Sequence, residues 1–369
     1  MVLSNMSHVL SSISNEEVSP VTLNDHWSRL ARLILLASMS AVGSVGNVFM
    51  MSAVMIEDYL RKRGNTFLVN VGLADLLVTG LVIPASAIVI LAGLKDNLAV
   101  CKFQWFIAAW CFLVTVLSLT AIAWENYFRL CYSIDVYHKL TKRKITFLLL
   151  SIWTTCGCIS GMQFYAELSF DYCTRNDLGL IPYQATVCAI FVFFPLSVTL
   201  FCYIRTGYQV RKFKSRPNHK APITFSWDCA LAQTNMYSFV TFLLFWVPFG
   251  VILAIDNVNK VSGKVFYNLA WLAISKSCIN SILYGMLNRH FRGAYVNLFQ
   301  YCCCKTTVSF SRRQRPEGLR PSGDVRVHII PGYNMYCSPQ RANESGGRSK
   351  RFTERCSSAR ANGREVYEL

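Results

Sequence analysis

The feature that most constrains this 369-residue chain is the recurrence of apolar runs long enough to cross a bilayer. A membrane helix needs about 20 such residues. Seven runs qualify: Leu33 to Ile56, Thr66 to Leu94, Phe103 to Trp124, Ile145 to Tyr165, Leu180 to Ile204, Asn235 to Ile255 and Val265 to Leu287. The second carries one charge, Asp75, and the seventh carries one, Lys276. Backbone polar groups in hydrocarbon must be paired within the segment, which leaves helices. The expected fold is an all-α membrane protein: a seven-transmembrane helix bundle with a short amphipathic eighth helix. Residues 1–28 are expected as an N-terminal tail, 29–300 as the bundle and surface helix, and 301–369 as a disordered tail.

The composition agrees with lipid as the solvent. The chain is 53% hydrophobic and 15% charged, where soluble proteins carry about 25% charge. Its net charge of +17 raises nucleic acid as a partner. The basic residues instead sit between apolar runs, so no nucleic acid is expected. Arg61 to Arg63, Lys139 to Lys144, Arg211 to Lys220 and Arg289 to Lys305 fall on one side, and the opposite loops are mixed in sign. Positive loops stay in the cytoplasm, which puts the N-terminus outside. No cleavable signal pattern is read in residues 1–26, so the first helix is expected to act as the anchor.

Of 15 cysteines, most lie inside apolar runs and read as small core residues. Cys101 and Cys173 lie at outside helix ends, where oxidation is permitted. They are expected to pair, with two free thiols as the alternative. Asn5 heads a glycosylation sequon in the outside tail, and the Asn343 sequon falls inside.

A set of landmarks appears in order, one group per helix. Gly46-Asn47-Val48 lies in the first helix, Leu73-Ala74-Asp75 in the second, and Cys101 and Glu125-Asn126-Tyr127 bracket the third. Trp153 marks the fourth, Pro195 and Tyr203 the fifth, and Phe242 through Trp246-Val247-Pro248 the sixth. Asn280-Ser281-Ile282-Leu283-Tyr284, then Asn288 to Arg292, close the seventh. Over about residues 30–300 the chain resembles a rhodopsin-family (class A) G-protein-coupled receptor. Ser277 to Asn288 and Leu130 to Ile134 are similar to melatonin receptors and neighbouring orphan receptors.

The resemblance implies roles. Pro248 makes a joint in the sixth helix; Trp246, just before the joint and under the outer pocket, senses ligand, and Phe242, one turn below it, relays movement; Tyr203 and Tyr284 complete the switch. Asp75 would bind sodium with Thr115 and Asn280, near Asn47. Lys276 lies one turn before Asn280, so it either pairs with Asp75 and replaces sodium or points elsewhere. The family's retinal lysine position is Ile274 here, which disfavours an opsin. The family's Asp/Glu-Arg-Tyr triplet reads Glu125-Asn126-Tyr127, and Asn cannot carry charge or fork to a carboxylate. Glu125 thus loses its usual neighbour. Arg129, three and four residues on, can meet Asn126 and Glu125 on one face. Asp228, near the position of the sixth-helix acid, is its second candidate partner. The expected result is a weaker resting lock, altered coupling or none.

The amine-binding Asp of relatives falls at Ala108, so the ligand is expected to be a non-amine. The outer pocket is expected to be lined by Phe106, Trp110, Phe112, Trp246, Phe249 and Phe266, with Gln104 and Gln163 as polar handles, suiting a lipid-like or neutral ligand. The alternative is that many of these rings pack on each other or on lipid. Past the bundle, Phe291, Ala294, Tyr295, Leu298 and Phe299 recur at helical spacing, as in a helix lying on membrane lipid. Cys302, Cys303 and Cys304 are palmitoylation candidates, a metal site being the alternative. Thr306, Thr307, Ser309, Ser311 and Ser349 are phosphorylation candidates, and Val366 to Leu369 resembles a PDZ-domain ligand. No nucleophile, metal or cofactor motif is read, so no enzyme and no cofactor are expected. Two readings follow. One is an atypical receptor passing ligand binding to a heterotrimeric G protein or arrestin. The other is a non-signalling scaffold or decoy, which Asn126 favours.

Overall fold

The computed structural model describes residues 18–24, 26–62, 64–94, 97–132, 137, 141–166, 168, 170–175, 181–215, 223–254, 261–304, 308–311 and 326–329. Among the described residues, seven helices form the bundle, the seventh in three pieces. They are α1 (Arg29–Ile56), α2 (Asn65–Leu91), α3 (Leu98–Cys131), α4 (Lys142–Tyr165), α5 (Ile181–Lys214), α6 (Ile223–Leu253) and α7, built from Gly263–Ser275, Lys276–Cys278 and Ile279–Leu287. The short α8 (Arg289–Cys304) follows. Past it, Val308–Ser311 pairs antiparallel with Arg326–Ile329, where no element was expected.

Helix starts follow local chemistry. Ser28 accepts from the Ala31 amide at 3.1 Å, Asn97 from Val100 at 3.1 Å and Thr141 from Lys144 at 3.4 Å. Each satisfies an otherwise orphaned amide of the first turn. Proline sets the interruptions. A wide π turn, Val78–Val82, lies just before Pro84, and another, Ala189–Phe193, just before Pro195. The missing proline N–H and its ring are absorbed by opening the preceding turn. In α7 the fault is opposite in sense: Lys276–Cys278 tightens to a 3₁₀ turn. Six spans are therefore continuous, and the seventh is broken in mid-run.

The helix α3 is the axis, with 61% of its apolar window buried against 22% for α1, α4 and α6. The outer surface is apolar: Ile88, Phe147, Phe193, Phe194, Leu244 and Met286 are exposed. Polar staples replace hydrophobic drive between helices, each worth about 0.6 kcal/mol on average. Asn70 donates to Ser118 Oγ at 2.7 Å and accepts from Trp153 Nε1 at 2.6 Å, joining α2, α3 and α4. A Cβ at Gly46 would lie 2.2 Å from Ser281 Oγ, so glycine lets α1 and α7 touch. On α8, Phe291, Ala294 and Leu298 are buried, Tyr295 is half-buried, and Phe299 is exposed.

Candidate functional site

At the end of the bundle away from Cys101, α3 presents Glu125, Asn126 and, one turn on, Arg129. The Arg129 guanidinium uses all three nitrogens. Nε donates to Glu125 Oε1 at 3.0 Å, Nη2 to Asn126 Oδ1 at 2.6 Å and Nη1 to Asp228 Oδ1 on α6 at 2.6 Å. Glu125 also accepts from Tyr137 Oη at 2.9 Å. It is therefore not left without a neighbour, as the triplet alone suggested. A Cβ on Gly64 would fall 2.1 Å from Glu125 Cδ, so only glycine leaves the carboxylate room there. Tyr127 turns aside to Phe128 and Tyr132, at 5.9 and 5.4 Å between ring centroids. Asn126 Nδ2 and Tyr203 Oη are buried and have no hydrogen-bond partner among the described residues.

Asp228 is a hub. It also accepts from Tyr59 Oη at 3.1 Å and from Lys62 Nζ, both in the segment between α1 and α2. Two cations and two carboxylates thus balance in a largely buried cluster. Such charges are tolerated only when paired and hydrogen-bonded. Burial holds the Lys62 ammonium below its usual pKa, and Asp228 offsets only part of that. Around it lies an aromatic box. Tyr59 stacks on His290 at 4.2 Å and meets Trp227 edge-on at 5.0 Å, while Arg289 lies over Trp227 at 5.3 Å. Burial, then Arg289 and Lys62, hold the His290 pKa below its usual value. Sequence reasoning missed Tyr59, Lys62, Trp227 and His290. Lys62 was read only as a loop charge, and nothing local links it to position 228.

At mid-depth, Lys276 Nζ lies 3.3 Å from both oxygens of Asp75. Asn280 donates to Asp75 Oδ2 at 2.7 Å and accepts from Ser238 Oγ at 2.9 Å. Tyr284 donates to Asn235 at 2.7 Å and Asn47 to the Ser277 carbonyl at 3.0 Å. Asn235 and Ser238 are further members the sequence did not flag. Thr115, Ala108, Phe112 and Trp246 line the remaining space, about 10 Å³, room for no more than one water. Phe112 sits 4.4 Å from Trp246 and 5.7 Å from Phe242, with Pro248 inside α6 just beyond.

At the other end a disulfide joins Cys101 on α3 to Cys173. The expected single pocket is not gathered here. Phe249 and Phe266 are fully buried in a plug with Trp105 and Tyr172, the last two stacked at 4.5 Å. Trp110 turns to α4, its Nε1 donating to the Trp153 carbonyl at 3.2 Å. Gln104 is no pocket handle: its amide donates to the Val82 carbonyl and Ser86 Oγ, both at 2.7 Å. Phe106 and Gln163 border a separate cavity of about 60 Å³ with Lys102 and Asp171. The reason is tertiary. Helical spacing puts these rings near one mouth, but Tyr172 fills it. Asn5 lies outside the described residues, as do the side chain of Cys304 and the 366–369 end; Cys302 and Cys303 are exposed.

Apolar helices of membrane-spanning length pack around a buried acid–lysine pair, the architecture of a polytopic membrane protein. The chain belongs to the rhodopsin family of 7 transmembrane receptors, whose model matches residues 46–284. It is thus a class A G-protein-coupled receptor, a multi-pass plasma-membrane protein and not an enzyme. It is 29% identical to melatonin receptor type 1B of Mus musculus, over 75% of this chain and 79% of that receptor. It is 30% identical to melatonin receptor type 1B of Homo sapiens, over 73% and 78%. It is 30% identical to melatonin receptor type 1C of Gallus gallus, over 73% and 81%.

Proposed function

We propose that the chain stands with residues 1–28 outside and passes binding of a non-amine ligand to a G protein or arrestin. In this reading Arg129 holds the resting state. The observation that carries it is the triple contact of Arg129 with Glu125, Asn126 and Asp228. A guanidinium one turn late keeps a cation between α3 and α6 although position 126 is neutral. Three donors on Asp228, from Arg129, Lys62 and Tyr59, make the lock stronger rather than weaker. Outward movement of α6 breaks all three and opens the cavity for the partner. Lys276 takes the place of sodium on Asp75. Ala108 leaves no acid for an amine, and the relatives' names make melatonin the first ligand to try. Glycosylation at Asn5, palmitoylation among Cys302, Cys303 and Cys304, lipid contact by α8 and a PDZ-domain partner at the C-terminus complete the proposal.

Asn126 itself favours the second reading, a seven-helix scaffold that does not activate G proteins. The test is basal G-protein activation in cells at matched surface expression. Asp228→Asn is expected to raise it severalfold. If the natural chain, Asp228→Asn and Asn126→Arg are all silent, with and without melatonin, the scaffold reading replaces the first.

A further inference from the structure

Residues 18–23, Val-Ser-Pro-Val-Thr-Leu, fall within the expected N-terminal tail. In the fold they are buried: Val18, Ser19, Val21, Thr22 and Leu23 are between 0% and 7% exposed. The segment is a closed turn. Ser19 N donates to the Leu23 carbonyl at 3.1 Å. Ser19 Oγ accepts from the amides of Val21 at 3.0 Å and Thr22 at 2.8 Å. Leu23 closes the turn at φ +66°, left-handed backbone that leucine rarely adopts. Such a conformation persists only where surroundings impose it.

The surroundings are the mouth of the bundle. Val18 and Val21 pack in the aromatic plug with Tyr172, Phe249, Phe266 and Tyr267. Leu23 belongs to the neighbouring cluster with Leu36, Ile90 and Trp271. Arg32 Nη1 on α1 donates to the Thr22 carbonyl at 3.0 Å. The turn also leaves room in its seat. A cavity of about 200 Å³ lies beside it, bordered by Val18, Val21, Asn97, Tyr267 and the disulfide. Val18 and Leu23 sit at the two ends of a tight turn and Val21 within it, and the wall that receives the two valines is aromatic. That is how a short peptide is held, by side chains in an apolar seat.

We infer that the outer mouth is a binding site for an apolar peptide turn, and that residues 18–23 are its resident, tethered occupant. The inference rests on the outward orientation proposed above only for the word outer; the seat itself is independent of coupling. A tether raises the local concentration of its end to about millimolar. A free competitor must therefore displace the turn, which makes the segment a built-in antagonist of anything sharing the seat.

The probe is a fluorescent synthetic peptide of residues 18–24, blocked at both ends, applied to the full-length receptor. The natural chain is expected to exclude it. Val21→Asp in the full chain ejects the turn and is expected to bind the peptide saturably, about tenfold above the natural chain. The same peptide carrying Val21→Asp is expected not to compete. Equal uptake by both receptors, or none by either, overturns the site. A second measurement does not depend on that variant folding. Val21→Cys and Trp27→Cys are labelled on intact cells with an impermeant maleimide. Trp27 is half exposed and Val21 fully buried, so Val21→Cys is expected to react about tenfold more slowly. Equal rates overturn the inference. Labelling of Trp27→Cys only after permeabilisation overturns the orientation instead, and the two rates are then compared in permeabilised cells.

Discussion

Arg129 Nη1 stands 2.6 Å from Asp228 Oδ1, so a residue outside the Glu125-Asn126-Tyr127 triplet joins α3 to α6. The pair is mostly buried, with side-chain exposures of 7% and 17%. Arg129→Gln leaves Glu125 and Asp228 short of a cation. Removing one partner of a buried pair costs about 3–5 kcal/mol. We expect a lower Tm of the solubilised receptor and raised basal activation. Adding Asp228→Asn should cost less than the sum of the two changes. Additive losses would place the two residues in separate roles.

Gly64 tests the same clasp by space rather than charge. Gly64→Ala puts a methyl 2.1 Å from Glu125 Cδ, and Glu125 is tied by Arg129 and Tyr137. The clasp must open, and the variant should match Glu125→Gln in basal activation. Gly161→Ala meets nothing within 4 Å and is the control. In a helix that change is expected to be neutral or stabilising by up to about 1 kcal/mol. A Gly64→Ala receptor indistinguishable from this control would rule the close approach out.

The Lys276–Asp75 pair predicts indifference to sodium. Tm of the natural chain should be the same in sodium and choline chloride. Lys276→Met frees the carboxylate, and sodium should then raise Tm by a few degrees through binding to the folded state. A natural chain already stabilised by sodium would contradict the pairing.

His290 predicts a pH slope. Its folded pKa is held below the ordinary 6.5. The unfolded chain therefore binds the proton more readily, so stability rises with pH. The contribution is full above about 6.5 and is lost as pH falls through the lower folded value. Tm measured from pH 7.5 to about 5.5 should fall more for the natural chain than for His290→Gln. Parallel curves would remove His290 from the box.

Much of this was legible in the sequence, for identifiable reasons. Arg129 lies at i+3 and i+4 from Asn126 and Glu125, and helical geometry alone brings them together. Lys276 and Asn280 share a face one turn apart, so both reach Asp75. The disulfide was expected from two cysteines on the outside, although Cys173 lies in the connection after α4 rather than at a helix end. What was not legible depends on what comes from elsewhere in the chain. Phe249 and Phe266 face the mouth, but no spacing says that Tyr172 fills it. Gln104 carries no sign that Val82 and Ser86 take its amide. Lys62 reaches a residue 166 positions away. The turn at 18–23 is only six residues long, with Ser19 and Thr22 polar among them, so its burial has no periodic signal.

The mid-depth pair has an electrical consequence. A displaced elementary charge exchanges about 2.3 kcal/mol with each 100 mV of membrane potential. Asp75 and Lys276 sum to zero and are bound to each other. A movement that carries the two side chains as a pair moves no net charge through the field at that depth, so this pair gives the membrane voltage no handle on such a movement.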